Sequence, residues 1–84
     1  MIYVVELPEQ GNPRAWFAYD QEDLSRKMVT LAASGGVSCI YWNESEAVGA
    51  FEGGDPRIAG QALWRARRAL YEQLVALEVL ADDN

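Results

Sequence analysis

The last third of the chain carries the pattern that most restricts its fold. Ala59, Ala62, Leu63, Ala66, Leu70, Leu74, Leu77 and Ala81 recur at intervals of three and four, and at about 100° per residue they gather on one side of a helix. Asp55-Pro56 supplies an N-cap and first-turn pair, so a helix is expected from there to about residue 80. A stripe this long needs a broad apolar surface to lie on, and a sheet provides one. Its alanines let the helix lie close to the strands, and its leucines fill the deeper core.

The strands come from the rest of the chain. Residues 2–7 (IYVVEL) are β-branched, aromatic and apolar and predict a strand ending at Pro8. The turn PEQGNP then returns the chain to RAWFAY, 14–19, as a hairpin partner. Trp16 and Ala18 face one way along it, and Ala15, Phe17 and Tyr19 the other. Asp20 sits where an N-cap is wanted, with Glu22 and Asp23 in the first turn, where carboxylates favour the positive end of the helix dipole. Leu24, Met28, Leu31 and Ala32 follow at helical spacing, and Gly35-Gly36 supplies the stop. VSCIYW, 37–42, predicts a third strand with Val37, Cys39 and Tyr41 on one face and Ser38, Ile40 and Trp42 on the other. After an NES turn, EAVGAF, 46–51, is expected to pair with it as a fourth strand.

The order ββαββα defines an α+β fold: one domain over residues 1–84, a small antiparallel sheet with two helices packed on one face. At 84 residues such a chain buries only about 60–65% of the surface it exposes when unfolded. Three tryptophans, four tyrosines and two phenylalanines must therefore supply much of the core.

Charge and residue inventory remove whole classes of function. Thirteen acidic residues against seven basic ones give a net charge of −6, which repels phosphate backbones and anionic membranes and favours a protein partner with a basic surface. Cys39 is the one cysteine and there is no histidine, so an internal disulfide, the usual zinc sites and histidine-based triads are excluded. No glycine-rich phosphate cradle or calcium loop is present, and no cofactor or metal is expected. MIYVVELPEQ has no signal-peptide pattern and no apolar run reaches the length of a membrane span. A cytoplasmic protein without direct nucleic-acid or membrane binding is expected, and Asn43-Glu44-Ser45 is read as a chance sequon.

Two sets of residues remain as candidates for partner binding. Trp64, Arg68, Tyr71 and Val75 form a line at i, i+4, i+7 and i+11, rotated away from the apolar stripe. Either it is an exposed anchor patch of the residue types common at binding hot spots, or the sheet curls round and buries it with Arg68 stacked on Trp64. Arg65, Arg67 and Arg68 do not share a face, so WRARR is no phosphate-tracking stripe; Arg68 and Glu72 are spaced to pair. The second set is acidic: Glu44, Glu46, Glu52 and Asp55, together with Asp20, Glu22 and Asp23. These either face a lysine- or arginine-rich partner or serve as caps and solubilising charges. Cys39, on an inner strand with no cationic neighbour in sequence, is expected to be an inert core residue.

A small acidic α+β chain built from IYVVEL, RAWFAYD and WRARRALYEQ resembles the phage-encoded anti-defence proteins of the anti-CRISPR class. The resemblance is one of size, charge and layout and not of a shared motif. It implies stoichiometric inhibition of a basic, nucleic-acid-handling host complex by charge mimicry or occlusion, with no enzymatic activity, in the host cytoplasm. The alternative is a homo-oligomeric regulatory, antitoxin or immunity protein, in which the Trp64 line packs against a second copy in a homodimer.

Overall fold

The computed structural model describes residues 1–31 and 36–81. Its elements are β1 (Ile2–Leu7), β2 (Arg14–Ala18), α1 (Gln21–Leu31), β3 (Val37–Tyr41), α2 (Glu44–Gly53) and α3 (Gln61–Ala76). The fold is α+β, with an antiparallel sheet of three strands in the order β2-β1-β3.

β1 is the middle strand because it is apolar on both faces. Tyr3, Val4 and Val5 are buried, and the strand pairs Val4 with Trp16 of β2 and Ile40 of β3, and Val5 with Ala15 and Cys39. Alternation then sorts the core into two layers. Ile2, Val4 and Ala18 pack with Leu24 of α1, joined by Trp16, Met28 and Ile40. Tyr3, Val5, Cys39 and Tyr41 pack with Ala47 of α2, Ile58, and Ala66, Leu70 and Leu74 of α3. The two helices expected together on one face are divided: α3, joined by α2, covers Tyr3 and Val5, while α1 covers Ile2 and Val4 on the other face, because a strand apolar on both sides needs cover on both.

α1 starts as its sequence indicates. Oδ1 of Asp20 accepts the Asp23 N–H at 2.8 Å, and Oδ2 of Asp23 accepts the Tyr19 N–H at 2.9 Å. The Asp23 carboxyl is thereby held well below the usual range, at about 2, chiefly by the Tyr19 amide and then by Arg26. Of the predicted end of this helix, Ala32 and Gly35 lie outside the described residues.

The expected fourth strand, 46–51, is corrected by α2. Oδ1 of Asn43 accepts the Glu46 N–H at 2.9 Å, and Oε2 of Glu46 reaches back to the Trp42 N–H at 2.6 Å. This is a reciprocal cap that satisfies two otherwise unpaired donors and starts a helix. Alanine favours that outcome, and Ala47, Ala50 and Phe51 recur at helical spacing so that Ala47 enters the core. The same device opens both helices that follow a strand: an aromatic residue, then Asp or Asn, then an acid three positions on.

The start of α3 also differs from expectation. Asp55 does not cap it. The Ile58 N–H bonds the Asp55 carbonyl at 3.0 Å in a tight turn, and the helix begins six residues later behind Gly60, whose φ of 65° and ψ of −146° suit only glycine. It ends at Ala76 in a Schellman turn, with the Val79 N–H on the Leu74 carbonyl at 2.9 Å and the Glu78 N–H on the Val75 carbonyl at 3.0 Å. Glu78 holds the left-handed position of that turn at φ 60°.

Candidate functional site

α2 is short and acidic, and an exposed tryptophan stands at each of its ends. Trp42 immediately precedes its cap and is 50% exposed; Trp64, on the first turn of α3, is 68% exposed. Ten residues of helix separate the two ends by about 15 Å.

At the C-terminal end the link is Arg67. Its Nε donates to the Phe51 carbonyl at 2.6 Å and its Nη2 to the Glu52 carbonyl at 3.1 Å. These carbonyls close the last turn of α2, where the helix has no internal donor and its dipole favours a cation. The guanidinium also lies over the Trp64 ring, 5.2 Å from its centroid, and 5.7 Å from that of Phe51. Phe51 in turn meets Tyr71 at 5.1 Å with the rings tilted by 31°. An exposed indole is therefore fixed to a rigid base.

The predicted line on α3 divides accordingly. Trp64 and Arg68 are exposed, whereas Tyr71 and Val75 are half-buried. The aromatic partner of Trp64 is Arg67, not Arg68, which instead pairs with Glu72 at 3.4 Å. Arg67 was legible in the sequence only as one of three dispersed arginines, since nothing in WRARR shows that α2 would end beside it.

The acidic set divides too. Glu44, Glu46 and Glu52 are exposed along α2, and no cation among the described residues pairs with them. Asp55 is buried and saturated, so it is not part of an acidic surface. It accepts the Tyr41 hydroxyl at 2.7 Å, the Arg57 amide at 2.9 Å and the Arg57 guanidinium at 2.6 Å. Those Arg57 bonds, with Tyr41, hold its carboxyl down at about 2, and Asp55 reciprocally raises the pKa of Arg57. Burial first, and then the bond to Asp55, pushes the Tyr41 phenol up. Burial likewise raises the Cys39 thiol, which disfavours the nucleophilic thiolate.

A groove of about 510 Å3 opens beside Trp42, lined by Ile40 and Tyr41 of β3, Glu46, Gly49 and Ala50 of α2, and Arg57. Trp42 and Gly49 were not singled out by sequence, where Trp42 reads as the last residue of a strand. Among the described residues no cluster of three or more histidine, cysteine or acidic side chains is arranged to hold a metal, and no helix is long and apolar enough to cross a membrane. Comparison with family models, with curated proteins and with solved structures finds no match to this chain.

Proposed function

We propose that this chain is a small acidic, non-enzymatic binding protein that inhibits a host nucleic-acid-handling or defence complex stoichiometrically, in the manner of the anti-CRISPR class. The observation that carries the reading is the exposed Trp64 indole, braced by Arg67 beside an α2 whose three glutamates face no cation among the described residues. Rigid aromatic anchors contribute most to binding when they fill a pocket on the partner. Carboxylates along α2 that meet no cation among the described residues steer a basic surface and disfavour an acidic one. The partner is then a protein with a basic surface, and Trp64, Arg68, Glu44, Glu46 and Glu52 touch it directly. Tyr71 supports the anchor through Phe51 and Arg67, while Val75 is half-buried further along α3.

The test is capture of a partner from bacterial lysate by the tagged chain, repeated with Trp64→Ala and with Glu44 and Glu52 both changed to glutamine. Retention of the same partner at unchanged affinity by correctly folded variants would falsify the reading. The exposed indole also serves a second reading, a homodimer built on Trp64. Sedimentation separates the two, since only self-association makes the sedimenting species depend on both concentration and Trp64.

A further inference from the structure

A sheet of three strands has two open edges, and this chain treats them differently. Edge strands present unpaired N–H and C=O groups, and proteins commonly blunt them with charges and prolines. β2 is blunted in this way. Pro13 precedes it, Arg14 begins it and ion-pairs with Glu6 at 2.7 Å, and the Lys27 ammonium donates to its Phe17 carbonyl at 2.8 Å. The grooves along it are lined by Arg65, Arg68 and Glu72. β3 reads Val-Ser-Cys-Ile-Tyr, with neither charge nor proline, and Val37 is exposed at its start.

The groove beside Trp42 lies on that unprotected edge. Ile40 belongs to the core layer under α1 and Tyr41 to the layer under α2 and α3, yet both line this one groove. Consecutive residues of opposite faces are visible together only from the edge of a strand. The facing wall is α2, through Glu46, Gly49 and Ala50. Gly49 sits in the middle of that helix, where glycine costs about 0.5–1 kcal/mol relative to alanine. A Cβ there would meet nothing within 4 Å, so internal packing does not call for a glycine at this position. Its missing side chain leaves the groove wall flat.

We propose that the outer edge of β3 takes an extended basic segment of a partner polypeptide as a fourth strand, lying between β3 and α2. The inference rests on the reading of the chain as a protein binder and shares Glu46 with it, but makes no use of Trp64. Main-chain hydrogen bonds to the free edge supply register and affinity. Glu46 on the wall selects lysine or arginine side chains. The Trp42 indole offers its face to their alkyl stems or charges. Arg57, the one cation lining the groove, is tied to Asp55. A second copy of this chain is disfavoured as occupant, because each copy carries a net charge of −6 and β3 offers no positive residue to the groove.

The probe is a synthetic peptide of about nine residues alternating lysine and valine, titrated into the isotope-labelled full chain and read by amide and indole chemical shifts. Shifts are expected at residues 38–42 and 46–50 and at the Trp42 indole, saturating at roughly millimolar peptide. A peptide with alternate amides N-methylated, or with glutamate in place of lysine, should bind at least about tenfold more weakly. Gly49→Gln, which improves helix propensity in α2, should weaken binding by a similar factor, and Trp64→Ala should leave it unchanged. The proposal is overturned by equal binding of the N-methylated peptide, by unchanged affinity of Gly49→Gln, by shifts confined to Trp64, or by no shifts at all. Concentration-dependent β3 shifts without peptide would assign the edge to a second copy instead. Capture of a partner through Trp64 is read separately, so either idea can fail alone.

Discussion

The hydroxyl of Tyr41 donates to Oδ2 of Asp55 across 2.7 Å, joining the end of β3 to the turn between α2 and α3. Because Asp55 also holds the guanidinium and the amide of Arg57, one buried carboxylate organises the whole connection. A hydrogen bond to a charged group contributes about 1.5–3 kcal/mol. Tyr41→Phe should lower the free energy of unfolding by about that amount, measured by urea denaturation. Asp55→Asn should cost at least as much, since it weakens every bond in the set.

The depressed carboxyl of Asp55 sets a pH window. Its folded value of about 2 lies below the roughly 3.9 of an unfolded aspartate, so the unfolded chain binds more protons between these values. Its stabilising effect is therefore complete above about pH 4 and is lost as pH falls towards 2. Asp23, also held at about 2, acts in the same direction. Unfolding free energy followed from pH 5 to 2 should fall steeply in wild type and less steeply in Asp55→Asn; parallel curves would show that Asp55 is not among the groups responsible.

Glu78 occupies a left-handed position at φ 60° that glycine adopts without a Cβ penalty. Glu78→Gly should raise stability by about 0.5–1 kcal/mol, after allowance for the greater freedom of glycine in the unfolded chain. Thermal denaturation resolves this, since 1 kcal/mol moves the midpoint of a domain this size by about 4–8 °C.

Trp64 and Tyr71 belong to one aromatic cluster but should differ in what their removal costs. Trp64→Ala removes an exposed ring and should change unfolding free energy by less than about 1 kcal/mol. Tyr71→Ala removes a half-buried ring from Phe51 and should cost about 1–3 kcal/mol. The pair of denaturation curves therefore separates a surface anchor from its support before any partner is known.

Arg67 bonds the terminal carbonyls of α2 from α3, so Arg67→Gln should loosen that end of the helix. Faster hydrogen exchange over residues 50–54, with α1 unchanged, is the expected signature. Uniformly faster exchange would point to a global loss of stability instead.

Much of the architecture follows from pattern. Period-two alternation assigned the faces of β2 and β3, and the three-to-four spacing of Ala66, Leu70 and Leu74 identified the buried side of α3. The Asp20 cap was legible because a side-chain oxygen three residues before an acid has few other uses. Asn43 and Glu46 carry the same signal, but a hairpin partner for VSCIYW is the simplest use of residues 46–51 in sequence terms, and it masks the cap. Asp55-Pro56 does mark a chain reversal. Whether its carboxylate caps a helix or meets a phenol and a guanidinium depends on Tyr41, 14 residues away, and no local window contains that information. The exposure of Trp64 was undecidable for the same reason: it depends on how far a sheet of unknown width reaches round α3.

The position of β1 between two strands that both follow it has a kinetic consequence. Its partners start at residues 14 and 37, and its underside is sealed by leucines of α3 at residues 70 and 74. The hairpin with β2 can close locally, but burial of Tyr3 and Val5 waits for pairings across more than half the chain, whose loop closure must be met first. Until those arrive, the most apolar strand of the protein is open on one edge and on the face that α3 covers. Folding rate, and escape from aggregation on the way, should therefore depend on α3 more than on any element nearer to β1 in sequence.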